Sequence, residues 1–128
     1  MRIGLLAAKT GCPVETIRYF EKIGLLPHPM RGANGYREYE ESQQKWLQFI
    51  LRSRALGFTQ KEVRRLSDIA HQSQPACGEV HDLLIEHIAD VEEKQVDLER
   101  MHQSLERLKA RCQDGTLNDC PVIDELMN

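Results

Sequence analysis

Residues 84–112, LIEHIADVEEKQVDLERMHQSLERLKARC, decide the fold, because their spacing is that of a long helix with one narrow apolar face. The stripe alternates steps of four and three and shifts phase near Gln95; its positions are Leu84, Ile88, Val91, Gln95, Leu98, Met101, Leu105, Leu108 and Cys112. A narrow stripe sustained over several heptads is typical of a seam between two helices. We therefore predict a coiled-coil dimerisation helix.

Three cysteines lie at the edges of this stretch. Cys77 precedes it, whereas Cys112 and Cys120 lie at its end. A helix over residues 79–112 rises about 1.5 Å per residue, which puts Cys77 roughly 50 Å from Cys112. Because one chain cannot bring them together, we expect an antiparallel pair of helices in which Cys77 of one subunit meets Cys112 and Cys120 of its partner. The spacing predicts a homodimer with two equivalent three-thiolate sites.

The composition is that of a soluble globular protein, with 128 residues of which 41% are hydrophobic and 29% charged. Neither a secretion signal nor a run of about 20 apolar residues is present, so we expect a cytoplasmic protein. In that reducing compartment the four cysteines are expected to be free thiols or metal ligands.

Charge divides the chain into two halves. Residues 1–70 hold 12 basic and 7 acidic side chains, whereas residues 71–128 hold 5 basic and 13 acidic ones. The basic half is the candidate for binding a polyanion, and the acidic half is left for subunit contact and sensing.

Before the long helix, the pattern predicts a mostly α-helical winged helix-turn-helix. Short helices over residues 3–11 and 13–22 are joined by a tight turn, and turn-forming residues over 27–39 predict a small β-hairpin wing. Further helices follow over residues 41–55 and after Thr59, which is placed to cap its helix. We expect a DNA-binding domain at 1–72, a hinge and dimerisation helix at 73–112, and a metal-binding loop with a terminal turn at 113–128.

Several motifs resemble the MerR family of winged-helix transcriptional regulators. They are NGYREY at 34–39, ETIRYFEKIGLL at 15–26 and ALGFTQKEVRRL at 55–66. The segments PACGEVHDLLIEHIADVEEK at 75–94 and LERLKARCQDGTLNDCPVI at 105–123 are similar to the heavy-metal branch of that family and resemble its cadmium and lead regulators, CadR and PbrR. The resemblance implies a dimer that stays on its operator, represses without metal, and distorts the DNA for RNA polymerase when metal binds.

The expected DNA contacts lie on the second helix and the wing. The second helix offers a hydroxyl, a guanidinium and a phenol to base edges and phosphates, and the wing offers groups that bind flanking phosphates. These residues are Thr16, Arg18, Tyr19, Arg31, Tyr36 and Arg37. Arg52 and Arg54 either reach the DNA backbone or coat their own helix, and we include Arg54 among the candidates.

The expected metal ligands are the thiolates of Cys77, Cys112 and Cys120, which favour soft ions. Three thiolates suit Hg(II) or Pb(II) as they stand. Zn(II) usually needs four ligands, so Zn(II) or Cd(II) would need a water, a carboxylate or a histidine as well. His81 is the nearest further candidate, although a solvated histidine is the more ordinary interpretation. The loop at 113–119 lacks the extra ligands of the family's zinc regulators. We therefore expect Cd(II) or Pb(II) as effector, with Hg(II) and Zn(II) as alternatives.

Other functions remain as alternatives. The three thiols also fit a redox switch that forms a disulfide across the dimer. An enzyme is not expected, because the sequence has neither a Cys and His pair at the spacing of a nucleophile motif nor a phosphate-binding glycine loop. Cys12 lies in the turn of the helix-turn-helix, where we expect it only to pack.

Overall fold

In the computed structural model, which describes residues 1–74, 77–112 and 120–128, the chain is mostly helical with one small antiparallel hairpin. In chain order the elements are α1 (Ile3–Thr10), α2 (Val14–Lys22), β1 (Met30–Arg31), β2 (Arg37–Glu38), α3 (Glu41–Ala55), α4 (Gln60–Ala70), α5 (Cys77–Arg111) and α6 (Pro121–Met127). The predicted fold class is thereby confirmed. The expected metal-binding loop at 113–119 lies outside the described residues.

The chain divides into two compact units, Met1–Leu83 and Leu84–Asn128. The division falls inside α5, whereas the change in composition that suggested a domain boundary lies at 72–75. Among the described residues, no helix is long and apolar enough to cross a membrane.

The first two helices meet at a tight turn. α1 ends at Gly11, which adopts a left-handed φ of 73° and donates its N–H to the Ala7 carbonyl at 2.8 Å. α2 begins directly after Pro13, whose fixed φ suits the start of a helix. Cys12 lies between them and is buried, and this burial raises the pKa of its thiol. The prediction that Cys12 packs is confirmed.

The helices α1 to α4 enclose the core of the N-terminal unit. Its fully buried side chains include Leu6, Ile17, Leu26, Leu47, Ile50 and Val63. α4 starts with a capping box, in which the Thr59 hydroxyl accepts from the Glu62 N–H at 3.2 Å and the Glu62 carboxylate accepts from the Thr59 N–H at 3.0 Å. The predicted cap at Thr59 is confirmed.

The wing is a minimal hairpin that needs support from outside itself. Its strands pair Met30 with Glu38 and Arg31 with Arg37, and two residues per strand are too few for independent stability. Backbone hydrogen bonds extend the pairing, since the Tyr39 N–H donates to the Met1 carbonyl at 2.7 Å. The start of the chain therefore lies alongside the second wing strand.

A buried carboxylate joins this wing to α2. Glu21 is only 2% exposed, yet it has two partners from the wing. The Tyr39 hydroxyl donates to its Oε1, and Arg37 Nη1 lies 3.3 Å from its Oε2. Burial, followed by the hydrogen bond and negative charge of Glu21, raises the pKa of Tyr39 to about 12, against a smaller opposing effect of Arg37.

α5 is a continuous helix of 35 residues, and its bounds agree closely with the predicted 79–112. Large apolar side chains along it are exposed in the single chain. In the C-terminal unit these are Leu84, Ile88, Val91, Leu98, Met101 and Leu105, all members of the predicted stripe, together with Ile85 and Val96. The antiparallel dimer itself stays a prediction.

Substitution Tyr39→Phe tests the buried carboxylate. Glu21 loses one partner, so the free energy of unfolding at neutral pH should fall by about 1–3 kcal/mol. Because folding raises the pKa of Tyr39, its contribution is complete below about pH 10 and is lost as the pH rises towards about 12. Urea unfolding at neutral and alkaline pH should therefore show a smaller alkaline loss in the variant than in the wild type.

The matched control is Tyr36→Phe, because Tyr36 is exposed and the substitution keeps the ring that contacts Arg2. This control should leave both the stability and its pH dependence unchanged. Equal alkaline losses in wild type and Tyr39→Phe would contradict the role assigned to Tyr39.

Candidate nucleic-acid interface and candidate metal centre

Four arginines surround one concave surface of the N-terminal unit. The concavity has a volume of about 300 Å³ and is lined by Arg2, Ile3, Arg18, Arg31, Gly35, Tyr36 and Arg37. The residues come from α2, from the wing, from the first residue of α1 and from the residue before it. The structure thus brings together four of the predicted DNA contacts, Arg18, Arg31, Tyr36 and Arg37. Such a density of guanidinium groups suits the phosphates of a nucleic acid.

The basic surface also contains Arg2, which the sequence reasoning missed. Its guanidinium carbon lies 4.2 Å from the centroid of the Tyr36 ring, a stacked cation–π arrangement. Stacking holds the guanidinium at the rim of the concavity while leaving its N–H donors available. No local spacing could have identified Arg2, because its partner lies in a wing that pairs with the start of the chain only after folding.

Arg37 contacts a buried carboxylate and is also partly exposed to solvent. One side of its guanidinium faces the buried carboxylate of Glu21, yet the side chain remains 40% exposed. A guanidinium has five N–H donors, so an ion pair with one carboxylate leaves donors for a phosphate. The pairing therefore fixes the direction in which Arg37 can present itself to a ligand.

The remaining predicted contacts are placed differently. On α2, Arg18 and Tyr19 are exposed and Thr16 is partly buried. Arg54 lies outside the concavity, and its Nη1 donates to the Phe58 carbonyl at 2.8 Å, which stabilises the end of α3. Arg52 is exposed on the same helix. A DNA contact by Arg54 stays a prediction.

In the C-terminal unit, Cys112 and Cys120 lie beside each other. Their sulfur atoms are 4.0 Å apart, and both thiols are free and exposed. With a Zn–S bond of about 2.3 Å and a tetrahedral angle, two sulfurs on one ion would lie about 3.8 Å apart. Both side chains can therefore reach one soft ion from nearly the positions they occupy.

The two thiols differ in their surroundings. Cys120 is the residue before α6, and hydrogen bonds from the backbone N–H groups of Ile123 and Val122 lower the pKa of its thiol. Partial desolvation, then the hydrogen bond and charge of Cys120, raise the pKa of Cys112. Cys120 is therefore the more acidic thiol of the pair.

An ion pair between Arg111 and Glu125 holds α6 against the end of α5. Arg111 is the last residue of α5, and Glu125 lies just after the first turn of α6. Because Arg111 precedes Cys112 and Cys120 precedes α6, this contact helps to keep the two thiols together.

The third predicted ligand lies at the other end of α5. Cys77 is its first residue and has an exposed, free thiol. Of the histidines, His81 is exposed, His87 is buried, and His102 lies 3.9 Å from Glu106. Over residues 1–74, 77–112 and 120–128 of one chain, no three side chains of His, Cys, Asp or Glu are gathered to hold a metal ion.

Comparison with known proteins covers nearly the whole chain. Residues 1–68 match the family “MerR HTH family regulatory protein”, and residues 44–108 match “MerR, DNA binding”. The mercuric resistance operon regulatory protein of Bacillus cereus is 40% identical over 127 residues, which cover 98% of this chain and 96% of that protein.

Two solved structures are similar in both sequence and fold. The transcription regulator PbrR691 from Ralstonia metallidurans CH34, in complex with lead(II), is 37% identical with a TM-score of 0.81, and 98% of each chain is covered. MerR from Bacillus megaterium MB1, in complex with mercury(II), is 36% identical with a TM-score of 0.74, and 100% of each chain is covered.

Substitution Arg2→Ala tests the basic surface. If Arg2 binds a phosphate, affinity for duplex DNA should fall, and the slope of log affinity against log salt should decrease in magnitude by about 0.9. Fluorescence anisotropy at several salt concentrations measures both, with a duplex that the wild-type protein selects from a random pool. Arg100→Ala, which removes an exposed arginine from α5, is the matched control and should leave the slope unchanged. An unchanged slope for Arg2→Ala would contradict the contact.

Proposed function

The chain belongs to the heavy-metal-responsive branch of the MerR family of transcription regulators, and from this premise we propose that it is a homodimer that represses its promoter without metal and activates it when Cd(II) or Pb(II) binds. Members of this family are regulators, not enzymes. We place the protein in the cytoplasm, with a metal-resistance promoter and RNA polymerase as its partners.

The single observation that carries this proposal is the thiol pair at the end of α5. Cys112 and Cys120 lie 4.0 Å apart, which is close to the separation that one shared ion requires. Cys77 begins the same helix, at the opposite end of 35 residues. An antiparallel partner would supply its Cys77 to this pair, and the dimer would then hold two three-thiolate sites.

The exposed apolar residues of α5 support the dimer. A helix that leaves side chains such as Leu98 and Leu105 more than 60% exposed needs a partner to bury them. The acidic side chains of the same half would repel DNA, so this half is suited to subunit contact and sensing rather than to DNA binding.

The N-terminal unit would then bind the operator. α2 would enter the major groove, with Thr16, Arg18 and Tyr19 towards the DNA. In the wing, Arg31, Tyr36 and Arg37 would bind flanking phosphates, joined by Arg2. Phosphate contacts fix the orientation of the protein, whereas contacts from α2 read the sequence.

The proposed switch needs only a difference in metal affinity between two dimer arrangements. In the arrangement with complete sites, Cys77 of one subunit is tied to Cys112 and Cys120 of the other. Cys77 follows closely after α4 in the chain, so this tie acts near the DNA-binding unit. If the spacing of the two DNA-binding units changed, the bound promoter would have to distort to keep its contacts with both.

The proposed effector follows from the ligand set. Three thiolates suit Pb(II) as they stand, Cd(II) would add a water or another ligand, and the 113–119 segment contains no further Cys or His for Zn(II). One similar structure contains lead(II) and another mercury(II), which supports an ion of this class and keeps Hg(II) as the second candidate.

A thiol-based redox regulator is the second candidate function. It is favoured by the same observation, because the sulfur atoms of Cys112 and Cys120 lie 4.0 Å apart, which makes a disulfide within one chain an alternative to one across the dimer. In that case Cys112 and Cys120 would give up two electrons and two protons to an oxidant. Regulation would then not depend on metal.

Transcription from a promoter that carries the selected operator separates these functions. In a reconstituted system, we expect activation by Cd(II) or Pb(II) at much lower buffered free concentrations than by Hg(II), Zn(II) or Cu(I). A chelator should silence the response. Activation by oxidant in the presence of the chelator, with no response to any metal, would establish the redox function instead.

A mixed dimer tests whether the metal site is shared. Cys77→Ser and Cys112→Ser/Cys120→Ser subunits are co-expressed with different tags, and the heterodimer is isolated. Each homodimer should bind little Cd(II), whereas the heterodimer should regain one of the two sites, because only one Cys77 then faces an intact pair. The measurement is the number of Cd(II) ions per dimer at a buffered free concentration.

The control for this experiment is Cys12→Ser, which should bind metal like the wild type because Cys12 is buried in the N-terminal unit. A heterodimer that binds no Cd(II) would contradict the shared site. Full binding by the Cys77→Ser homodimer would show that the pair at the end of α5 suffices within one chain.

A further inference from the structure

We propose that Gln60 and Arg64 are positioning residues that hold the DNA-reading helix α2 to α4 and orient the hydroxyl of Tyr19. This inference rests on the proposed function, since it assumes that α2 reads DNA. Gln60 and Arg64 are one turn apart on α4, and their partners Tyr19 and Ile23 are one turn apart at the end of α2. Two helices are therefore linked at two successive turns by polar side chains.

The first link fixes the direction of a hydrogen-bond donor. Gln60 Nε2 donates to the Tyr19 hydroxyl oxygen at 3.3 Å. A phenol has a single O–H, and because its oxygen accepts here, that proton remains available to donate elsewhere. Tyr19 is exposed, so the free donor faces solvent, where a DNA phosphate oxygen would accept it. Gln60 would thus act on DNA through Tyr19 without touching it.

The second link holds the end of α2. Arg64 Nη2 donates to the Ile23 carbonyl at 2.7 Å, and Ile23 is the residue that closes α2. Carbonyl groups at the end of a helix lack partners within it, and a positive charge there also complements the helix dipole. Gly24 follows with a left-handed φ of 76°, which ends the helix at this point.

The two links make α4 the element that sets the angle of α2. α4 is also the last helix before α5, which begins at Cys77. A displacement of α4 would therefore be passed to α2 through Gln60 and Arg64, in addition to the apolar core. The same contacts would serve to position α2 in the resting protein and to move it in the activated one.

A double-mutant cycle tests the first link. Gln60→Ala should weaken binding to the selected duplex by about three- to tenfold in the wild-type background, the range of a neutral hydrogen bond. In the Tyr19→Phe background the same change should have almost no further effect, because the hydroxyl through which Gln60 acts is gone. Both side chains lie at the surface, so thermal unfolding should show all four proteins to be folded.

An arginine pair tests the second link. Arg64→Ala and Arg65→Ala each remove one positive charge from α4, and both side chains are exposed. Arg64→Ala should weaken DNA binding about threefold or more without changing the salt slope, because it acts through the backbone of α2 and not through a phosphate. Arg65→Ala should leave the affinity nearly unchanged.

Additive losses in the cycle would overturn the proposal, because Gln60 would then contact DNA directly. No effect of Gln60→Ala, or a reduced salt slope for Arg64→Ala, would overturn it as well. If the wild-type protein selects no duplex at all, the proposed DNA-binding function fails first, and that result differs from every outcome of the cycle.

Discussion

The carboxylate of Glu21 is the constraint on which the arrangement of the DNA-binding half depends. Removing a charged carboxylate from water is costly unless strong hydrogen bonds replace the lost hydration. Both replacements come from the wing, so the wing can leave its place on α2 only by exposing or neutralising Glu21. A hairpin too short to be stable alone is in this way fixed to the helix beside it.

This arrangement explains how one small unit presents a dense positive surface. Four guanidinium groups repel each other, so contacts with other groups are needed to hold them close together. Arg37 has the buried carboxylate and Arg2 has the face of Tyr36, both within the N-terminal unit. Most of the acidic residues lie in the other half of the chain, 13 against 7. The positive surface therefore depends both on the charge balance of the N-terminal half and on the contacts of its individual arginines.

Local patterns were sufficient to predict most of the fold. Gly11, Thr59 and the apolar stripe of α5 each act on neighbouring residues, and each predicted its helix boundary or face. The site was only partly predictable. The partners of Arg2, of Arg37 and of Gln60 lie 34, 16 and 41 residues away, and no periodicity links such pairs before the chain has folded. Cys112 and Cys120 are close in sequence, and their pairing was foreseen for that reason.

The exposed side chains along α5 also bear on the concentrations at which the protein can exist. In the proposed dimer, stability depends on protomer concentration, and dilution would favour separated chains that expose this stripe to water. Such surfaces aggregate or attract proteases. The proposed dimer therefore needs a tight seam to persist at low concentration. The length of α5 would meet this need, because each further turn adds apolar contact area without enlarging the DNA-binding unit.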